Sequence, residues 1–130
     1  TNLQEFLNGT PASGSIDIDG NTRYDALTDG LLMLRHMFGL TDDALITGTV
    51  ATDAQYKTAV EIQERISLLG DLADVDGNGE IDALTDGLIV LRYLFGLRGD
   101  SLVAGVVASN ATRTSHEAIE AHLEILTPVL

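Results

Sequence analysis

Two short acidic stretches contain the residues best suited to chemistry. Residues 17–29 and 74–86 each place aspartate at the first and third positions, asparagine at the fifth, and further aspartates at the ninth and thirteenth. Oxygen donors at alternating positions are what a hard divalent cation collects, and calcium takes six to eight of them. Each stretch is therefore predicted to be a loop that binds one Ca²⁺ ion.

The loop pattern assigns six oxygen donors to each ion, one of them the backbone carbonyl of the seventh position. A twelve-residue loop would close at Thr85, but Asp86 opens the apolar helix, where a closing carboxylate belongs and where the helix dipole favours it. A one-residue insertion between positions nine and twelve would explain the offset. The predicted ligands are Asp17, Asp19, Asn21, Arg23 (backbone carbonyl), Asp25 and Asp29 in the first loop, and Asp74, Asp76, Asn78, Glu80 (backbone carbonyl), Asp82 and Asp86 in the second.

The two loops differ at the sixth position, where the first has Thr22 and the second has Gly79. The sharp turn there needs a positive φ, which strains a β-branched residue by on the order of 1–2 kcal/mol. Arg23 also places a cation beside the first site. The first site is therefore expected to bind more weakly than the second. At the eighth position, Ile81 is expected to join a short β-like contact between the loops.

The loops belong to a longer internal repeat. Equivalent residues lie 57 positions apart from Asp17 and Asp74 to Leu69 and Leu126, and 16 of the 24 loop-plus-helix positions are identical. The sequence thus predicts one domain, 1–130, with a lead-in at 1–13 and two pseudo-symmetric units at 14–70 and 71–127. A short helix in the lead-in is suggested by the spacing of its apolar residues.

Hydrophobic periodicity predicts a helix directly after each loop. Leu27, Leu31, Leu34 and Phe38 share one face, which is expected to lie in the core. Gly39 can adopt a positive φ and end this helix. A further helical turn is expected at 42–46, and no stretch alternates as a half-buried strand does. The predicted fold class is all-α.

A second helix is predicted later in each unit. Thr58 and Glu61 form a capping box at its start in the first unit. Thr114 and Glu117 are expected to play the same parts in the second unit, one residue out of strict register, and Pro128 ends that helix. The inward positions are Ala59, Ile62, Ile66 and Leu69, and then Ile119, Leu123 and Leu126.

The composition excludes several classes of partner. The net charge is −13, from 20 acidic and 7 basic residues, and Lys57 is the only lysine. Nucleic acids and anionic membranes both need clustered basic residues, so neither is expected to bind. No apolar run is long enough to insert in a membrane. The chain starts at Thr1 without a signal-peptide pattern, so we expect it to be a segment of a larger protein.

The pattern Asp-x-Asp-Gly-Asn-x-x-x-Asp…Asp, followed by Gly-Leu-x-x-Leu-Arg-x-x-Phe-Gly, resembles the duplicated calcium repeats of dockerins, which are loop-plus-helix relatives of the EF-hand. The resemblance covers 17–40 and 74–97. It implies two calcium ions, a secreted or cell-surface location in bacteria and, for true dockerins, docking to a cohesin domain.

Two features depart from the dockerin pattern. The helix predicted at 59–69 separates the two loops, which lie close together in the sequence of dockerins. Dockerins read their partner with polar residues at loop positions ten and eleven. Here these positions are Ala26-Leu27 and Ala83-Leu84, which are apolar and expected in the core.

Three readings of function follow. An enzyme of the haloacid dehalogenase class, which also uses Asp-x-Asp-Gly, is disfavoured because no apolar strand precedes Asp74, so a non-enzyme is expected. One non-enzymatic reading is a calcium-stabilised structural or spacer module of a larger exported protein. The other is a calcium-dependent docking module, in which Arg35 and Arg92 face a partner such as a cohesin-like domain or a neighbouring part of the parent chain.

The histidines His36, His116 and His122 are expected to be solvated and not to bind metal.

Overall fold

A computed structural model describes residues 15–130, so the predicted lead-in helix lies outside the described residues. Six α-helices follow one another along the chain, and no strand occurs within the described range, which confirms the all-α fold class. Within 15–130 no helix combines the length and apolar character needed to span a lipid bilayer. The helices are α1 (Leu31–Met37), α2 (Asp42–Ile46), α3 (Ala59–Ser67), α4 (Leu88–Leu94), α5 (Asp100–Val103) and α6 (His116–Leu126).

Three tighter or wider helical turns join these elements to the loops. A π-helical turn, Ala26–Gly30, runs directly into α1, and a second one, Ala83–Gly87, runs directly into α4. A 3₁₀ turn, Gly70–Ala73, connects the end of α3 to the second loop. Each acidic loop is therefore continuous with a helix, as predicted.

One cluster of buried apolar side chains draws on both repeat units. Ile16, Ile18 and Val75 are fully buried in it, although each of them stands next to an aspartate of a loop. Apolar residues and aspartates alternate here. The apolar residues anchor the loop in the core, while the aspartates contribute to the group of carboxylates. The other members are Leu32, Met33, Leu45, Ile62, Ile66, Leu69, Ala73, Ile89, Val90, Leu102, Val106, Ile119, Leu123 and Leu126.

The helices α1 and α4 pack against each other in an antiparallel orientation. Gly30, at the start of one helix, lies against Leu91 in the other, where an added Cβ would be 3.0 Å from the leucine Cδ1 atom. Gly87 lies against Leu34 in the same way, at 2.8 Å. These two contacts join equivalent residues of the repeat. Pseudo-symmetry of the complete units stays a prediction.

The buried face of α1 differs from the predicted one. Leu27 and Phe38, expected in the core, are 61% and 56% exposed, whereas Leu32 and Met33 are fully buried. Four consecutive apolar residues at 31–34 leave the periodicity ambiguous. The face of the helix that turns inward is set by Asp29, which is fully buried. The positions three and four residues after it, Leu32 and Met33, lie on the same inner face.

The expectation for loop positions ten and eleven is half right. Ala26 and Ala83 are buried, but Leu84 is 63% exposed and the equivalent Leu27 is 61% exposed. The prediction that both leucines lie in the core was wrong, because each begins a helix whose inner face is taken by the closing aspartate.

The second helices begin as predicted in one unit only. At α3 the Thr58 hydroxyl accepts from the Glu61 backbone N–H at 3.2 Å and the Glu61 carboxylate accepts in return, which confirms the capping box. At α6 the cap is Ser115 and not Thr114, since the Ser115 hydroxyl accepts from the Ala118 N–H at 3.2 Å. The prediction for Thr114 and Glu117 was wrong because the strict 57-residue register holds here too.

Candidate metal centres

Three aspartates of each loop bring carboxylate oxygens together in a compact group that could hold a metal ion. In the first loop these are Asp17, Asp19 and Asp29, each offering an oxygen within 4.8 Å of the others. All three of these residues are buried. The equivalent residues of the second loop are brought together in the same way. The second group consists of Asp74, Asp76 and Asp86.

The thirteenth residue of each loop ties the loop together. Asp29 is fully buried, and its Oδ1 accepts from the Ile18 backbone N–H at 2.8 Å while its Oδ2 accepts from the Asp25 N–H at 2.9 Å. Asp86 accepts in the same way from the backbone N–H groups of Val75 and Asp82, at 2.7 and 2.8 Å. The closing residue therefore joins the start of the loop to its ninth position, and the geometry favours Asp86 over Thr85.

The extra residue in each loop is accommodated as a π-helical turn. The Gly30 N–H donates to the Asp25 carbonyl at 3.2 Å, and the Gly87 N–H donates to the Asp82 carbonyl at 3.1 Å, each across five residues. An α-helix would bond across four residues. The turn thus absorbs the one-residue insertion and keeps the closing carboxylate at the start of the helix. Single π turns of this kind occur often at functional sites.

The aspartates at the third position are held by a segment that sequence reasoning missed. The Oδ2 atom of Asp19 accepts from the Ala51 backbone N–H at 3.1 Å, and that of Asp76 accepts from the Ala108 N–H at 2.9 Å. The Asp19 backbone carbonyl also accepts from the N–H of Tyr56 at 3.0 Å. The signal was present in the repeat, since Ala51 and Ala108 are identical and in register.

These contacts replace the expected pairing between the two loops. Ile81 is 45% exposed, and no strand is present in the described part of the chain. The predicted β-like contact through Ile81 was therefore wrong. Each loop instead pairs with a later segment of its own unit, at 51–56 or 108–113.

Several carboxylate oxygens in the clusters lack a donor. Asp17 Oδ1, Asp19 Oδ1 and Asp76 Oδ1 are buried without a hydrogen-bond partner, whereas the other oxygen of each carboxylate accepts from the backbone. A buried acceptor left unpaired costs on the order of 1–3 kcal/mol, more when it is charged. A cation shared by these oxygens would satisfy them, so the residues present fit a metal ion.

Burial also shifts the protonation of the closing carboxylates. Burial, reinforced by the charges of Asp19 and Asp17, raises the pKa of Asp29 to about 8 against the backbone donors that lower it. Burial likewise raises the pKa of Asp86 to about 6, with the charge of Asp76 adding to it. Both shifts report a charged form that the protein alone stabilises poorly.

The remaining predicted ligands are arranged less tightly. The Oδ1 atoms of Asn21 and Asn78 accept from the backbone N–H two residues later, each at 3.0 Å. Asp25 and Asp82 are not among the clustered carboxylates. The ninth position of such loops often reaches the ion through water. The carbonyls of Arg23 and Glu80 stay predictions.

The sixth position has the predicted backbone conformation in both loops. Thr22 has a φ of 67° and Gly79 a φ of 86°. The strain expected at Thr22 is therefore present. The Arg23 guanidinium contacts Asp53, outside the loop, at 3.0 and 3.2 Å, and its Nε also lies 3.7 Å from Oδ2 of Asp25 within the loop.

Two arginines hold the backbone at the start of the loops from behind. Arg65 donates to the Asp17 carbonyl at 3.1 Å and stacks over the Tyr56 ring at 4.7 Å. Arg113 donates to the carbonyls of Val75 and Asp74 at 2.7 and 2.6 Å. They come from non-equivalent positions of the repeat, so the 57-residue register could not reveal their shared role.

The histidine and arginine predictions have mixed outcomes. His122 is only 8% exposed and its Nε2 lies 2.8 Å from the Leu72 carbonyl, so the expectation that it is solvated was wrong. Arg35 and Arg92 are half-buried and donate to the carbonyls of Thr47 and Ala104 at 2.7 and 2.8 Å, just after the next short helix. Contact of these arginines with a partner stays a prediction.

No family model matches the sequence, and comparisons with curated proteins and with solved structures found no similar protein. Function is therefore inferred from the sites themselves.

Proposed function

We propose that the chain is a non-catalytic calcium-binding module of a larger exported bacterial protein, in which two ions hold the module in one shape. The observation that carries the proposal is the convergence of buried, unpaired carboxylate oxygens within each loop. Asp17 and Asp19 supply them in the first loop, and Asp76 supplies one in the second.

Calcium is the ion that suits these donors best. The clustered groups are carboxylates alone, and hard oxygen donors favour calcium, magnesium or manganese over zinc or copper. Magnesium demands near-ideal octahedral geometry and keeps several waters. A thirteen-residue loop that adds side-chain and backbone oxygens around buried carboxylates favours the larger ion with its flexible coordination.

Burial favours a structural role for the ions over a catalytic one. Asp19, Asp29, Asp76 and Asp86 are fully buried. A catalytic metal keeps an open coordination position for substrate, whereas a structural metal is enclosed by the protein. Enclosed ions couple binding to folding, because the metal-free loops bring like charges together in a poorly solvated place.

The exported location rests on the resemblance of the loops to dockerin repeats and on ion supply. Extracellular calcium modules work with dissociation constants of about 10⁻⁴ to 10⁻³ M, and cytosolic calcium is far too low to fill such sites. The absence of cysteine leaves the module independent of the redox state of its surroundings.

Calorimetric titration of chelator-stripped protein with CaCl₂ tests the proposal. We expect two calcium ions per chain, with the second loop the tighter site, and much weaker binding of magnesium. Protein in which both closing aspartates are replaced, Asp29→Asn with Asp86→Asn, provides the matched control and should bind neither ion. Absence of calcium binding by the unmodified chain would refute the proposal.

Exposed apolar residues that flank α1 and α4 support a second candidate, a calcium-dependent docking module. Leu27 and Phe38 flank α1, and Leu84 and Phe95 flank α4, all of them 56–63% exposed. Because the two helices are antiparallel, the start of each lies beside the end of the other. Leu27 is thus placed at the same end of the pair as Phe95, and Leu84 at the same end as Phe38. Exposed apolar patches often mark interaction sites.

A pull-down with cohesin-like domains and neighbouring domains of the parent protein separates the two candidates. Capture with calcium that is lost with chelator, and lost in Leu27→Ala with Leu84→Ala, would favour docking. Variants Arg35→Ala and Arg92→Ala test the predicted arginine contacts in the same assay. Failure of capture in calcium favours the structural role.

A further inference from the structure

We infer that Asn78 is a site of spontaneous chemical modification that the metal ion controls. In the metal-free second loop, Asn78 forms a cyclic imide with Gly79 and is converted to aspartate or isoaspartate, and a bound divalent cation prevents this. The inference rests on the proposed metal binding, and it adds a consequence for the lifetime of the second site.

The sequence and the backbone make Asn78–Gly79 the vulnerable pair. The nucleophile of the reaction is the backbone nitrogen of the residue after asparagine, and glycine has no side chain to shield it. Gly79 is exposed, and no atom lies within 4 Å of the place where a Cβ would be. In the first loop the equivalent pair is Asn21–Thr22, whose β-branched side chain screens the nitrogen.

The closed loop keeps both reacting groups occupied. The Gly79 N–H donates to Asp74 Oδ2 at 2.8 Å, and Asn78 Oδ1 accepts from the Glu80 N–H at 3.0 Å. Ring closure requires the Gly79 nitrogen to leave Asp74 and approach the Asn78 side-chain carbon. Reaction therefore needs the loop to open at least locally.

The metal ion decides how often the loop opens. Asp74, Asp76 and Asp86 bring oxygens within 4.8 Å of one another, so their charges repel when no cation lies between them. Asp74 and Asn78 are both predicted ligands. An ion bound to them would hold the two groups that must separate or rotate for the reaction.

The chemistry requires only water besides the protein. The Gly79 nitrogen forms a bond to the Asn78 side-chain carbon, the bond from that carbon to the side-chain nitrogen breaks, and ammonia leaves with the displaced proton. Water then opens the cyclic imide at either carbonyl. One opening gives aspartate, and the other gives isoaspartate, in which the main chain passes through the former side chain.

The isoaspartate product would disable the second site permanently. It adds one carbon to the backbone between the fifth and sixth loop positions, so the donors before and after it no longer fit one ion. The first site escapes because Thr22 follows Asn21. A molecule deprived of calcium is therefore expected to lose its second site with time and to keep the first.

Incubation of the full chain at mildly alkaline pH, with calcium or with chelator, followed by peptide mapping, tests the inference. At calcium a hundredfold above the dissociation constant the metal-free population falls by about a hundredfold, so we expect conversion at Asn78 to slow by at least about tenfold. Mapping is required because Asn8–Gly9 is a second pair of the same kind. The variant Gly79→Ala should convert more slowly than the unmodified chain in chelator.

The outcomes separate this inference from the proposed function. If calorimetry detects no calcium binding, the proposed function fails. If calcium binds and Asn78 is converted equally fast with and without it, the inference alone fails. Conversion of Asn21 as fast as Asn78 in chelator would also overturn the inference, because it would remove the role of Gly79.

Discussion

At the scale of single residues, one aspartate in each loop organises the site. Asp29 and Asp86 are fully buried and accept backbone hydrogen bonds from the second and the ninth positions of their loops. Their burial is unfavourable for a free charge, yet it places a carboxylate beside the other two in the cluster. A bound cation would offset this cost, so that binding of the ion would also stabilise the folded loop.

Substitution of the closing residue tests the thirteen-residue loop. Asp86→Asn should weaken calcium binding at the second site by more than about a hundredfold, since it removes a predicted ligand, and loss of a residue that only supports a ligand already costs 10–100-fold. Thr85→Ala should change affinity little, because the Thr85 hydroxyl makes only a 3.4 Å contact with Asp86. Calorimetry measures both, with the first site as internal control. The reverse result would assign the closing role to Thr85.

Proton release on calcium binding should differ between the sites. Burial raises the pKa of Asp29 to about 8 and that of Asp86 to about 6, both above the unfolded value of 3.8. A raised carboxylate pKa means that the metal-free fold loses stability as pH rises through the window from the unfolded to the folded pKa. Calcium must displace the proton, so affinity rises with pH over the same window.

At pH 7 the first site should release more protons per calcium ion than the second, and its affinity should lie further below its high-pH plateau. Calorimetry in two buffers of different protonation enthalpy measures the proton release. Equal release from both sites, or more from the second, would contradict the assignment.

Exchange of the sixth-position residues tests the predicted inequality of the sites. Thr22→Gly should relieve a strain of on the order of 1–2 kcal/mol and raise first-site affinity by roughly tenfold. Gly79→Thr should lower second-site affinity by a similar factor, and its cost is that of the backbone because no atom lies within 4 Å of the new Cβ. Unchanged affinities in both variants would mean that φ at this position does not control binding.

At the scale of elements, the sequence allowed some features to be predicted and hid others for physical reasons. The insertion before Asp86 was visible as an offset, and its form, a π turn, follows from keeping both the loop and the helix intact. The inner face of α1 could not be read from apolar residues at 31–34, because they surround the helix. The closing position of Asp29 was the informative signal, since a predicted ligand is expected to face the loop.

The starts of α3 and α6 provide an element-scale prediction. Ser115→Ala should lower the free energy of unfolding by about 1 kcal/mol, because it removes the side-chain acceptor for the Ala118 N–H. Thr58→Ala should cost a similar amount at α3. Thr114→Ala serves as the control and should have a small effect. Urea denaturation in saturating calcium measures all three, and a larger loss in Thr114→Ala than in Ser115→Ala would restore the original capping assignment.

At the scale of the whole molecule, the two loops share one core but make different contacts with the rest of the chain. The Ile16 N–H donates to the Leu126 carbonyl at 2.9 Å, and the Tyr24 hydroxyl donates to the Pro128 carbonyl. The end of the second unit thus closes onto the first loop. Both sites are consequently connected to the same buried cluster, so filling or emptying them should change the stability of the module as one body.

Thermal unfolding with calcium and with chelator tests the central claim most directly. At a hundredfold excess over the dissociation constant each ion adds about 2.7 kcal/mol, so two ions add about 5 kcal/mol. For a chain of this size the melting temperature in calcium should lie on the order of 15–20 °C above that in chelator, in one cooperative transition. A melting temperature that does not change with chelator would contradict the account of two calcium ions holding the fold together.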